Sequence, residues 1–146
     1  MTEYLFDTNV LSVLLYGNIS IPQKWSQIWN RIRNKQSHLI LIAPVVSEIY
    51  YKNVPKFGEK KVKDKILWLK SLNQELPSLD YDDAIKAGAI KIRNPNNLSL
   101  VDCFILAVAG RRNSLILTTD TLIRDVAKNM KVNVSYIPFE CLSKNS

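Results

Sequence analysis

Apolar positions fall along the chain in two periods, short unbroken runs and longer stretches with helical spacing. Tyr4-Leu5-Phe6 predicts a brief strand, followed at once by an apolar helix from Thr8 to about Tyr16. Trp25, Ile28, Trp29 and Ile32 stand at i, i+3, i+4 and i+7, one stripe of an amphipathic helix. Leu39 to Ile42 reads as a compact strand, and Pro44 after it suits the first turn of a helix. Val62, Ile66, Leu69 and Leu76 mark the inner face of another helix, whose outer face carries Lys60, Lys61, Lys63 and Lys65. Residues 82–93 predict a further helix. Leu98 to Ala109 is almost wholly apolar, so its helix should be central. Leu115-Ile116-Leu117 reads as a strand, Leu122 to Met130 as a helix, and Val134 to Ile137 as a last strand.

Strands separated by helices imply right-handed crossovers. The expected fold is α/β, a three-layer α/β/α sandwich around a central parallel sheet of about four to five strands. No Pro/Gly/Ser-rich linker or repeat divides the sequence, so residues 1–146 are expected to form a single domain. In such sheets ligands bind beyond the carboxyl ends of the strands.

Composition narrows the function. Apolar residues make up 47% of the 146, enough for a substantial core without staples. The two cysteines, Cys103 and Cys141, have no second Cys or His at ligand spacing, which argues for a reducing compartment over a disulfide framework. The opening Met1-Thr2-Glu3-Tyr4-Leu5-Phe6-Asp7 has no signal-peptide pattern, and no apolar run approaches the roughly 18 residues that cross a bilayer. A cytoplasmic protein with no membrane partner is expected. Twenty Lys and Arg against 13 Asp and Glu give a net charge of +7, which favours a polyanionic partner. His38 is the only histidine, which excludes zinc sites built on His pairs, and no matched nucleophile motif accompanies it. The four glycines, Gly17, Gly58, Gly88 and Gly110, are too widely spaced for a phosphate loop.

Most acids sit in polar surroundings, as Asp64 and the pair Asp82-Asp83 do. Four sit in apolar ones: Asp7 after Tyr4-Leu5-Phe6, Glu48 in Val45-Val46-Ser47-Glu48-Ile49-Tyr50, Asp102 in Leu100-Val101-Asp102-Cys103-Phe104-Ile105, and Asp120 after Leu115-Ile116-Leu117-Thr118-Thr119. Burying a carboxylate is costly unless a cation or hydrogen bonds compensate it. The expected topology puts Asp7 and Asp120 at strand ends and Glu48 and Asp102 in the first turns of helices beginning near the same edge. Each has a structural reading as well. Asp7 and Asp120 could cap the helices after them, Ser99-x-x-Asp102 resembles a capping box, and Glu48 would complement a helix dipole. All four at one edge favour a shared site. Converging carboxylates repel one another unless a cation joins them, and oxygen-only ligands suit the hard ions Mg²⁺ and Mn²⁺.

Leu5-Phe6-Asp7-Thr8-Asn9-Val10-Leu11-Ser12 resembles the opening strand-to-helix motif of PIN domains. Ser47-Glu48-Ile49 resembles their second acidic motif, Ser99-Leu100-Val101-Asp102-Cys103-Phe104-Ile105-Leu106-Ala107 the third, and Leu117-Thr118-Thr119-Asp120 the fourth. The resemblance implies a metal-dependent ribonuclease on a small α/β/α fold. Asp7, Glu48, Asp102 and Asp120 would form its acidic quartet, with Asp7 and Asp102 as direct metal ligands and Glu48 and Asp120 holding metal, water or both. Thr8, Asn9 and Thr118 would support the site by hydrogen bonds. Many stand-alone PIN domains of this size are VapBC toxins, usually dimeric and restrained by an antitoxin, so a homodimer and an antitoxin partner are expected. The chain departs from the pattern in Tyr50-Tyr51-Lys52 after the second motif and in Thr121-Leu122-Ile123-Arg124-Asp125 after the fourth.

Lys52, Lys56, Lys60, Lys61 and Lys63 are candidates for RNA phosphate contacts, with a solvated helix face as the alternative. Trp25, Trp29 and Trp68 read as core or dimer contacts, and Asp125 as a solvated helix residue. Two other functions compete with the nuclease. One is a PIN-like scaffold that binds RNA or protein without catalysis. The other is a haloacid-dehalogenase-like phosphotransferase with Asp7 as nucleophile, although the second Asp usual in those enzymes is here Asn9.

Overall fold

The structure is a computed structural model that describes residues 1–16 and 20–142; Gly17 lies outside them. In chain order the elements are β1 (Glu3–Phe6), α1 (Thr8–Tyr16), α2 (Gln23–Arg33), β2 (His38–Ile40), α3 (Ala43–Phe57), α4 (Glu59–Lys70), β3 (Gln74–Glu75), α5 (Tyr81–Arg93), α6 (Leu100–Arg112), β4 (Leu115–Thr118), α7 (Thr121–Asn129) and β5 (Val134–Tyr136), with a short 3-10 turn at Phe139–Cys141. The five strands form one sheet in the order β3-β2-β1-β4-β5. Every pairing is parallel. This is the expected α/β arrangement at the upper end of the expected strand number.

β1 occupies the middle because its apolar side chains suit burial on both faces, as central parallel strands require. Leu5 and Phe6 are buried, as are Ile116 and Leu117 of the neighbouring β4. From β1 the chain first builds outward through β2 and β3, then returns to build β4 and β5 on the other side. The two windings part between β1 and β4, and the crevice at their carboxyl ends is where such sheets bind ligands.

The helices follow the periodicity with few exceptions. α2 buries Trp25, Ile28, Trp29 and Ile32 as one stripe, and the Trp25 indole N–H donates to Ser135 Oγ at 3.0 Å, tying α2 to β5. α6 buries Cys103 and every residue from Ile105 to Ala109, which makes it the interior helix its composition predicts. Pro44 stands in the first turn of α3, where its missing N–H costs nothing. Gly58 separates α3 from α4 with φ +86°, a conformation that only glycine adopts without strain.

One element differs from expectation. The helix carrying Val62 and Leu69 ends at Lys70, and Leu76 is exposed beyond it. Between them Gln74 and Glu75 pair with Leu39 and Ile40 as the edge strand β3. Ser71-Leu72-Asn73-Gln74-Glu75 offers no apolar alternation, so this strand exists through backbone pairing with β2 and leaves no hydrophobic signature. Two other strands, β2 and β5, also differ slightly from their apolar runs. β2 starts at His38 and stops before Leu41, and β5 stops before Ile137.

Candidate active site

Four segments distant in sequence each bring a carboxylate to the carboxyl edge of the sheet. Asp7 follows β1 directly, and Asp120 stands two residues past β4. Asp102 is the third residue of α6, whereas Glu48 is the sixth of α3, one turn deeper than its motif suggested. Together with Thr8, Asn9, Lys52, Ser99 and Ile123, the four acids line one cleft of about 180 Å³.

Local hydrogen bonds orient each acid. Asp7 is 3% exposed. Its Oδ1 accepts from the Val10 backbone N–H at 2.8 Å, and its Oδ2 accepts a short hydrogen bond from Thr118 Oγ1. The parallel register that sets Phe6 opposite Leu117 places these two residues side by side. Thr118 Oγ1 in turn accepts from the Asp120 backbone N–H at 3.0 Å. Asp120 Oδ1 caps α7 by accepting from the N–H groups of Leu122 and Ile123. Ser99 and Asp102 form the reciprocal capping box of α6. Glu48 Oε1 accepts from Thr8 Oγ1 at 2.7 Å.

The capping and shared-site readings therefore coexist. A carboxylate has two oxygens, and one can serve a helix while the other faces the cleft. Asp102 Oδ1 and Asp120 Oδ2 accept no hydrogen bond among the described residues. Burial pushes the Asp7 carboxyl from its ordinary 3.8 up to about 6. Hydrogen bonds from Thr118 and Val10 act against that rise, and the charges of Asp102 and Asp120 add to it. Burial likewise raises Asp102, with the negative charges of Asp120 and Glu48 adding to the effect against the Ser99 hydrogen bonds.

Oxygen donors in mutual repulsion, half-screened from water, are chemically matched to a hard divalent cation. Among the described residues no three His, Cys, Asp or Glu side chains already close on one point. The site is an open acidic cleft. That suits Mg²⁺ or Mn²⁺, since such ions keep several waters and take one or two carboxylates.

The sequence matches the model of the PIN domain family over residues 4–129. The chain belongs to the PIN domain family. No curated protein matches it in sequence. Solved structures share the fold of this PIN domain at low identity. A chain of VapBC2 from Rickettsia felis, crystallised bound to a DNA fragment from their promoter, superposes with a TM-score of 0.70 at 12% identity, covering 92% of this chain and 98% of that one. DNA-bound VapBC from Salmonella typhimurium gives 0.69 at 16% identity, covering 93% and 98%. A toxin–antitoxin complex from Klebsiella pneumoniae gives 0.54 at 21% identity, covering 81% and 87%.

The other candidate residues of this PIN domain separate clearly. Thr8 and Asn9 line the cleft, and Thr118 lies buried beneath it. Of the five lysines, Lys52 alone lines the cleft. Lys56, Lys60, Lys61 and Lys63 are exposed on α3 and α4 outside its lining, and Lys63 is paired with Glu59. Asp125 is exposed beside Arg124. His38 opens β2 opposite Glu3, at the amino end of the sheet and away from the cleft. Trp25 and Trp29 are core residues, with Trp68 packed against Trp29. A cavity of about 630 Å³ between α5 and α7 contains no acid in its lining. Among the described residues no helix is long and apolar enough to cross a membrane.

Two features escaped sequence reasoning. Asp83, grouped with the acids in polar surroundings, is only 3% exposed. It is held by Arg111 through bonds of 2.8 and 3.1 Å and by a capping box with Asp80. The spacing Asp80-x-x-Asp83 is compatible with the cap, but a partner 28 residues away leaves no local signal. Tyr51, noted only as a departure from the family pattern, and Lys52, also a candidate RNA contact, both reach the Glu48 carboxylate, a pairing the sequence did not suggest.

Proposed function

We propose that this PIN domain, acting as one unit over residues 1–146, is a Mg²⁺- or Mn²⁺-dependent endoribonuclease that hydrolyses RNA phosphodiester bonds with water as nucleophile. The observation that carries this reading is the convergence of Asp7, Glu48, Asp102 and Asp120 on one cleft at the point where the sheet winding divides. Helix caps alone do not require that convergence, and it leaves Asp7 and Asp102 with raised pKa values that a divalent cation would relieve.

Asp7 and Asp102 are the proposed direct ligands, with Glu48 and Asp120 holding the ion, its water or both. When bound, the ion would lower the pKa of a water molecule and offset the charge that develops at phosphorus. The chain's own contribution is orientation. Thr118 fixes one oxygen of Asp7 and Thr8 fixes one oxygen of Glu48, so that the acids present defined faces to the cleft. Asp120 can accept a hydrogen bond from the attacking water on Oδ2, its Oδ1 being committed to α7. The net charge of +7 and the exposed Lys56, Lys60, Lys61 and Lys63 would draw the RNA strand towards the domain.

We further infer that the protein is the toxin of a toxin–antitoxin pair, working in the cytoplasm as a homodimer restrained by an antitoxin. The fold likeness to the VapBC and Klebsiella pneumoniae complexes supports this. A short upstream reading frame encoding a DNA-binding protein beside this gene would agree with it.

The test is a panel of single-stranded and structured RNAs incubated with Mn²⁺, with Mg²⁺ and with EDTA, alongside Asp7→Asn and Asp102→Asn. Metal-dependent cutting that both variants lose is the expected result. Cutting that persists in EDTA, or in Asp102→Asn at the wild-type rate, would sink the proposal.

A further inference from the structure

Among the described residues lining the acidic cleft, Lys52 is the one cation. Its ammonium lies 3.2 Å from Glu48 Oε2. The Tyr51 hydroxyl donates to the same oxygen at 3.3 Å, and Thr8 holds the other oxygen at 2.7 Å. Glu48 is thus engaged on both oxygens by neighbouring side chains, and one of those neighbours is a positive charge facing the cleft.

An i,i+4 pair on an open helix face contributes only tenths of a kcal/mol and fixes little. This pair differs in its anchor. The Glu48 side chain is 10% exposed and cannot follow the lysine outward, while Lys52 keeps 44% of its side chain open to solvent. The buried acid holds the stem in place, and the ammonium remains free to meet a ligand.

The electrostatics of the cleft create a need for such a group. A phosphodiester entering it approaches Asp7, Asp102 and Asp120 as well as Glu48, and like charges in a half-buried site repel strongly. One divalent ion offsets two of those charges, and Lys52 offsets that of Glu48. Lysine binds phosphate as a point charge without demanding a fixed orientation. Lys56, Lys60, Lys61 and Lys63 cannot serve here, since none belongs to the cleft lining.

We propose that Lys52 is a substrate-binding residue of this cleft, its ammonium receiving a backbone phosphate of an RNA strand, and that Glu48 is the positioning residue that holds it there. The inference takes its substrate from the nuclease reading but concerns binding, which is measurable whether or not the bond is cut.

The experiment measures fluorescence anisotropy of a labelled single-stranded RNA over a range of salt concentrations, with Ca²⁺ present. The proteins are wild type, Lys52→Ala, Lys52→Arg and Lys24→Ala, a control on the exposed face of α2. Calorimetric titration with Mn²⁺ and a thermal melt accompany each. Loss of one phosphate contact should weaken RNA binding by about tenfold and lower the salt slope by about one in Lys52→Ala. Lys52→Arg and Lys24→Ala should bind as wild type does. Removing a positive charge beside the acids should leave Mn²⁺ affinity equal or tighter in Lys52→Ala. RNA affinity and salt slope unchanged in Lys52→Ala, or no RNA binding by wild type at low salt, would overturn the proposal. So would loss of Mn²⁺ binding or of the thermal midpoint in Lys52→Ala, because the residue would then be structural. If wild type binds RNA through Lys52 yet never cuts it, the nuclease reading fails while this assignment stands.

Discussion

Replacing Asp7 by asparagine should stabilise the metal-free protein above neutral pH, although it removes a buried, doubly hydrogen-bonded group. Asp7 is 3% exposed, and its carboxyl is raised from 3.8 to about 6, first of all by burial. A carboxyl whose folded pKa lies above its unfolded value favours folding in its protonated form. That contribution is complete below the unfolded value and is lost as pH rises through the folded one. At about pH 8 the ionised group therefore costs the native state about 3 kcal/mol relative to a neutral carboxyl, at roughly 1.36 kcal/mol per pH unit between the two values. Asparagine has the same shape and no charge. Its carbonyl can keep the Val10 N–H, but its amide must face Thr118 Oγ1, which already accepts from the Asp120 N–H. That conflict costs about 1 kcal/mol. The net gain at about pH 8 is then about 2 kcal/mol, or roughly 6–8 °C in Tm for a domain of this size. The gain should shrink as pH falls below about 6 and reverse sign near pH 4, where the wild-type group is neutral. Thermal or urea unfolding in EDTA across that range reads the crossing directly. Excess Mn²⁺ should raise the wild-type midpoint by mass action and leave Asp7→Asn unmoved. A variant about 2 kcal/mol less stable at every pH would refute the reasoning and leave Asp7 a helix cap.

Arg111→Ala should destabilise the fold by about 2 kcal/mol in urea unfolding at neutral pH, since it strands the buried Asp83 carboxylate. Burial raises the Asp83 pKa, but the hydrogen bonds and charge of Arg111 outweigh it and hold the carboxyl below its usual range. Its stabilising effect is therefore present above the unfolded value of about 3.8 and should vanish as pH falls below it, so the wild-type and Arg111→Ala curves should converge in acid. Gly58→Ala should cost about 1–2 kcal/mol through backbone strain alone, because no heavy atom stands within 4 Å of the added Cβ. A neutral result in calorimetric melting would show that the α3–α4 turn adjusts without loss.

Much of this molecule is legible in its sequence. The two central strands and the interior helix announce themselves as unbroken apolar runs, because an element buried on all sides has no polar face to write into the sequence. The acids at 7, 48, 102 and 120 stood out for the same reason, as charges embedded in or directly after apolar runs. β3 was not legible, since a two-residue edge strand of Gln74 and Glu75 is specified by pairing with β2 and not by its own side chains. Nor was the pairing with Glu48 legible for Lys52, a candidate RNA contact on its sequence alone. In the sequence it joins a run of lysines, and only the single turn of α3 between Glu48 and Lys52 puts its ammonium in the cleft while its neighbours face solvent. Asp83 and Arg111 show the same limit, with an ion pair formed across the α5–α6 packing and invisible in either helix alone.

The central claim is that Asp7, Glu48, Asp102 and Asp120 form one divalent metal site. Calorimetric titration of Mn²⁺ into wild type and Asp102→Asn at about pH 7.5 tests it without requiring knowledge of the RNA target. The account predicts a saturable isotherm for wild type and affinity weakened by at least about tenfold in the variant. No binding up to millimolar Mn²⁺, or identical isotherms for the two proteins, would contradict it.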